Sequence, residues 1–149
     1  MRRRRAIIVL SLCSSAVTAL IAMRQTGVLR HLPDPPGKLW DTDYVNTSEV
    51  GYPFGVPDAT IGLASIAANV PLAAIGGEER AETMPALPLL AAGKSLIEAG
   101  TALWFNSEMP RKLKKWCPYC LVASILNLSI AALQIPEAVA ALRKISRAS

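Results

Sequence analysis

Metal-ligating residues are scarce in this chain: its 149 residues include three cysteines and one histidine. That is few for a structural zinc cage, and a site built on His31 would need ligands from separate segments with no further donor, so no metal is expected. Charge is also scarce. Asp, Glu, Lys and Arg make up 18% of the chain against 52% apolar residues, and they cluster between long apolar runs. This pattern excludes an ordinary soluble core and points to an integral membrane protein within one domain, with membrane lipid as a partner. The net charge of +5 comes largely from terminal Arg and Lys. Those residues lack the stacking aromatics of a nucleic-acid site, so no nucleic-acid partner is expected. Internal repeats and low-complexity tracts are absent.

Four apolar segments remain, predicted as spans at about 6–23, 59–76, 84–105 and 117–135. The first follows a basic cap over residues 1–5 and ends at Arg24. It nearly crosses a hydrocarbon core of about 30 Å at about 1.5 Å per residue. Leu20-Ile21-Ala22 is a poor cleavage site, and Leu10-Ser11-Leu12 before Cys13 a poor lipoprotein box, so a retained helix is expected over a signal peptide. Cys13 is expected to pack as a small hydrophobe. Residues 25–57 form a long polar loop rich in Pro and Gly, through which Trp40, Tyr44, Tyr52 and Phe54 recur. Such aromatics fit packing at the membrane surface or over a site. Asp58 can cap the second span, which Pro71 interrupts and Gly76-Gly77 ends. A short turn at 78–82 follows.

The third span carries Lys94 and Glu98, one helical turn apart. They read as an intrahelical ion pair or as the polar wall of a substrate pocket. Residues 106–116 read as a short basic loop. Pro136 is expected to kink or end the fourth span. Four spans place both termini on one side, and the arginine cap assigns that side to the cytoplasm. The basic residues Arg111, Lys112, Lys114 and Lys115 on the opposite side count against this orientation.

The chemistry-bearing stretch is Trp116-Cys117-Pro118-Tyr119-Cys120. Side chains at i and i+3 share a helix face, so a C-x-x-C pair can close within one turn. Unpaired N–H groups and the positive dipole end of a helix N-terminus favour the thiolate, which is the nucleophile. Pro118 suits the first turn, where its missing N–H is not needed. C-x-x-C also occurs as half of a zinc site and in soluble glutaredoxin-type motifs. The latter need a βα context that an apolar span over 121–135 does not offer.

In this order, the features resemble the vitamin K epoxide reductase family, in its bacterial-type membrane form. The residues that carry the likeness are Val45-Asn46-Thr47-Ser48, then Tyr52-Pro53-Phe54-Gly55-Val56-Pro57-Asp58-Ala59-Thr60-Ile61-Gly62-Leu63, then Trp116 to Leu121. The resemblance implies an all-α, integral membrane four-helix bundle around a quinone of ubiquinone or menaquinone type, used as co-substrate. Electrons would pass from a partner's thiols, such as those of a periplasmic thioredoxin-like protein, through Cys117 and Cys120 to the quinone. Cys117 would exchange disulfides, being nearer the surface, while Cys120 and the loop serine, Ser48, would face the quinone. The protein would lie in a bacterial inner membrane with the C-x-x-C at the periplasmic face. Many family members carry a second cysteine pair in the loop as a relay. Its nearer position falls at Thr42, and this loop has no cysteine. The alternative function is therefore a non-enzymatic member with a structural disulfide or a partner-binding role.

Overall fold

The structure, a computed structural model, describes residues 2–148. The side chains of Phe54 and Ala148 lie outside the described residues. The fold is all-helical, with no strand among the described residues. Its helices are α1 (Arg2–Gln25), α2 (Thr42–Thr47), α3 (Asp58–Ala67), α4 (Asn69–Ala74), α5 (Arg80–Thr83), α6 (Ala86–Glu108) and α7 (Pro118–Ala148). Two 3₁₀ turns, Glu49–Gly51 and Pro53–Gly55, lead into α3, and a π turn, Met109–Leu113, extends α6. The long helices pack side by side: α7 lies against both α1 and α6, and α1 against α3 and α4.

Two helices, α1 and α7, are long and apolar enough to cross a membrane. The stretch Asp58–Ala74 is apolar but shorter, and α6 carries Lys94 and Glu98 within its length. Polarity is arranged inside out. Ser11, Ser14, Thr18, Asn69, Ser95, Asn127 and Gln134 are buried between helices, while Leu12, Leu90, Ile97, Leu103 and Ile125 face outward. Small and polar residues between helices with apolar ones outside suit hydrocarbon surroundings.

Several predicted boundaries move. The basic residues 2–5 belong to α1 rather than to a flanking cap. The second span breaks at Ala68, because Pro71 cannot donate to Ala67 and its ring crowds that carbonyl. Asp58 is the first residue of α3 and not its cap. Gln25 of α1 does that work from outside, its Oε1 accepting the Ala59 N–H at 3.1 Å. Residues 106–113, predicted as loop, continue α6 and its π turn, with Pro110 inside the wide turn. Pro136 neither ends nor shortens α7, which runs on to Ala148. Cys13 does not pack inside: the helical phase that turns Ser11, Ser14 and Thr18 inward leaves it on the exposed face of α1.

The end of the molecule that carries the termini is held by two arginines. The guanidinium of Arg4 donates to the carbonyls of Ala73, Ala74, Ile75, Gly76 and Gly77 at 2.7–3.1 Å. Arg80, 2% exposed, pairs both oxygens of Glu137 at 2.5 and 2.7 Å and donates to Leu72 O and Ile75 O. A helix C-terminus leaves carbonyls unpaired and carries negative potential, so cations belong there.

Candidate functional site

Cys117 and Cys120 are joined in a disulfide with Cα atoms 5.3 Å apart. Cys117 ends the segment after the π turn and Pro118 opens α7, which sets the pair at the helix N-terminus. The free backbone N–H of Cys120 points at Cys117 Sγ, 3.1 Å away. Two sulfurs one turn apart thus occupy different surroundings. Cys120 packs beside Ile21, Ala22 and Ala59 and lines a cavity of about 420 Å³. Cys117 has no exposed surface and packs with Val45 and Met109.

The cover over Cys117 comes from residues 33–46. Backbone bonds run from Trp116 N to Leu39 O at 2.8 Å and from Asp41 N to Trp116 O at 3.1 Å, giving a single bridge between Trp40 and Trp116. The Tyr119 hydroxyl donates to Pro33 O at 2.9 Å, and Lys115 Nζ to Lys38 O at 2.8 Å. The predicted surface position of Cys117 is therefore corrected: this strap closes over it. Of the loop aromatics, Trp40 serves the strap through its backbone, the Tyr52 hydroxyl donates to Gln25 O, and Tyr44 is exposed.

Asn46, part of the Val45–Ser48 stretch but given no role there, reaches both sulfurs. Its Nδ2 donates to Thr42 O at 2.8 Å and lies 3.4 Å from Cys117 Sγ, while its Oδ1 lies 3.8 Å from Cys120 Sγ. Thr42, at the relay position, is fully buried, and its N–H and hydroxyl both donate to the Asp34 carboxylate. There it anchors α2. Ser48 also works locally, accepting from Val50 N at 3.3 Å and donating to Val45 O at 2.7 Å. It is not among the residues that line the cavity, whereas Asn46, two residues earlier, is.

The cavity lies between α1, α3, α6 and α7 beneath the loop, and its wall is chiefly apolar. Asp58 opens on it near the loop, its Oδ1 accepting from Gln25 Nε2 at 2.5 Å. The same Nε2 donates to Gly51 O at 3.0 Å. Glycine is required there, since a Cβ at position 51 would lie 2.7 Å from Asn46 O. Further from the loop the wall includes Ser65, Glu98 and Asn127. Lys94 and Glu98 form the predicted ion pair at 2.5 Å, and Glu98 is also part of the cavity wall. Its oxygens accept in addition from Ser65 and Asn69. No group of His, Cys, Asp and Glu among the described residues has metal-binding geometry. His31 instead pairs with Asp43 at 2.5 Å.

Asp43 ties the loop to α1. Burial alone would raise its pKa, but hydrogen bonds from His31, Arg24 and the Leu32 N–H outweigh that and hold it below the ordinary value of 3.8.

A disulfide at a helix N-terminus, with one sulfur on an apolar cavity and the other beneath a strap, is suited to passing electrons between a thiol on one side and a flat apolar oxidant on the other. A comparison with curated proteins finds no match for this chain. The profile of the vitamin K epoxide reductase family matches residues 5–135.

Proposed function

The chain belongs to the vitamin K epoxide reductase family, and from that premise we propose that it is a quinone-linked thiol–disulfide oxidoreductase built as a four-helix membrane bundle. The observation that carries this reading is the Cys117–Cys120 disulfide with Cys120 on the wall of an apolar cavity. A partner's thiolate attacks Cys117 Sγ, the disulfide breaks, and the electron pair leaves on Cys120. The partner's second thiol then displaces Cys117, giving the partner disulfide and a Cys117/Cys120 dithiol. The dithiol gives two electrons and two protons to a quinone in the cavity, which becomes the quinol as the disulfide re-forms.

The N–H of Cys120 and the Asn46 amide both stabilise negative charge on Cys117. No loop cysteine relays electrons here, so the donor acts on Cys117 directly, after the strap at 33–46 lifts. A thioredoxin-like protein fits this role. The disulfide end faces the periplasm on this reading, and both termini face the cytoplasm. An apolar wall suits the ring and tail of ubiquinone or menaquinone types alike, and Ser48 is assigned to the loop that closes over them.

Purified protein supplied with a dithiol donor and a short-chain quinone should reduce the quinone, and Cys117→Ala should reduce none. Equal rates in the two proteins would sink the proposal. A second reading rests on the zero exposure of Cys117: the disulfide is structural, and the protein is a non-enzymatic member of the family. It predicts that Cys117→Ala lowers thermal stability while no quinone turnover is seen in the parent.

A further inference from the structure

Polar groups around the cavity differ in how far they are already satisfied: Ser124 donates to Cys120 O, and the Thr18 hydroxyl is buried without a partner among the described residues. Glu98 has three acceptor positions filled, by Lys94, Ser65 and Asn69. A carboxylate accepts about four hydrogen bonds, so this group is nearly spent. Asn127 differs. It is 8% exposed and lines the cavity. Its Oδ1 accepts from Ser14 Oγ at 2.9 Å, which turns the carboxamide so that Nδ2 is left over. Nδ2 has no hydrogen-bond partner among the described residues. Nδ2 is open to the cavity, so an acceptor placed there gains a hydrogen bond of about 1 kcal/mol without displacing a protein partner.

The position of Asn127 says which acceptor. It sits seven residues beyond Cys120 on the same helix, about 10 Å along the axis at about 1.5 Å per residue. The two are nearly in phase, since seven residues make close to two turns, and both line the same cavity. That interval is about the length of a six-membered ring with para oxygens and one polar contact at each end.

We infer that the Asn127 carboxamide is a binding site for the distal carbonyl oxygen of a 1,4-quinone whose other carbonyl lies at Cys120, with Ser14 as the positioning residue. This rests on the proposed quinone chemistry and adds to it the ligand's orientation, lengthwise between the helices. It also adds a preference for para over ortho quinones. Nδ2 donates to the oxygen in the quinone state, and the electron and proton count of the transfer is unchanged.

The test uses the full-length protein in detergent, reduced beforehand, with oxidation of Cys117/Cys120 followed against a short-chain 1,4-benzoquinone and against a 1,2-quinone. Asn127→Leu should raise the KM for the 1,4-quinone roughly tenfold, the scale of one lost hydrogen bond. It should raise the KM for the 1,2-quinone by clearly less, about threefold or below, and leave the rate of oxidation by diamide, which needs no seat in the cavity, within twofold. Ser14→Ala, which frees the amide to rotate, should raise the 1,4-quinone KM roughly threefold, and it keeps the test open if Asn127→Leu folds poorly. Equal KM changes for both quinones, or none, would overturn the inference while leaving the proposed chemistry standing. A parent protein oxidised by diamide but by neither quinone would overturn the chemistry itself.

Discussion

The two ends of the molecule handle polar groups in opposite ways. At the end with the termini, full charges are used to pair helix-end carbonyls and a carboxylate. Arg4 closes the carbonyls at the end of α4, and Arg80 is buried with Glu137 on one side and two carbonyls on the other. At the disulfide end the groups that touch the sulfurs are neutral, one asparagine 3.4 Å from Cys117 and one backbone N–H, while the charges stand further out in the strap, where Asp43 pairs with Arg24 and His31 and Asp34 accepts from Thr42. The comparison teaches that charged pairing is kept off the sulfurs themselves.

The largest effect should come from breaking the charged end. Arg80→Met leaves Glu137 half-buried without its partner, and should cost about 3–5 kcal/mol of stability, the range for breaking a buried pair. Thermal unfolding in detergent checks this, and adding Glu137→Gln should recover much of the loss. A smaller effect is expected at the disulfide. Asn46→Leu removes the side-chain donor beside Cys117 Sγ, and should slow alkylation of the reduced protein at pH 7 about fivefold, equivalent to about 1 kcal/mol. Melting temperature should change far less than in Arg80→Met.

The smallest effect concerns the loop attachment. Asp43 has a lowered pKa in the folded state, so its contribution is present above its ordinary value of 3.8 and is lost as pH falls through the lower folded value. The loop should therefore stay docked through mildly acid conditions and loosen only below about pH 4. Asp43→Asn should imitate the acid state at neutral pH, raising protease cleavage within residues 26–57 by a few-fold, consistent with a partly exposed ion pair worth less than about 1 kcal/mol.

Much of this was legible in the sequence. The C-x-x-C pair at a helix start, the family, the helical class and the Lys94–Glu98 pair all follow from local spacing, and the structure has each of them. What was not legible depends on contacts between distant segments. Nothing local marks Arg80, in what reads as a short turn, as the partner of Glu137, 57 residues on. The burial of Cys117 is set by a strap from residues 33–46, and the capping of α3 by Gln25 from another helix. Asn127 did leave a signal. A lone asparagine in an apolar run is costly unless it faces the interior, and Ser14 in the first run answers it. Pro136 shows the reverse failure, a strong local breaker overridden by the packing of a long helix.

The central claim is that the Cys117–Cys120 pair exchanges electrons with quinone. Thiol trapping in intact membranes tests it most directly, with a dithiol donor present and the quinone pool either oxidised or depleted. The account predicts the disulfide when oxidised quinone is plentiful and two alkylated thiols when it is depleted. The same redox state under both conditions would contradict it.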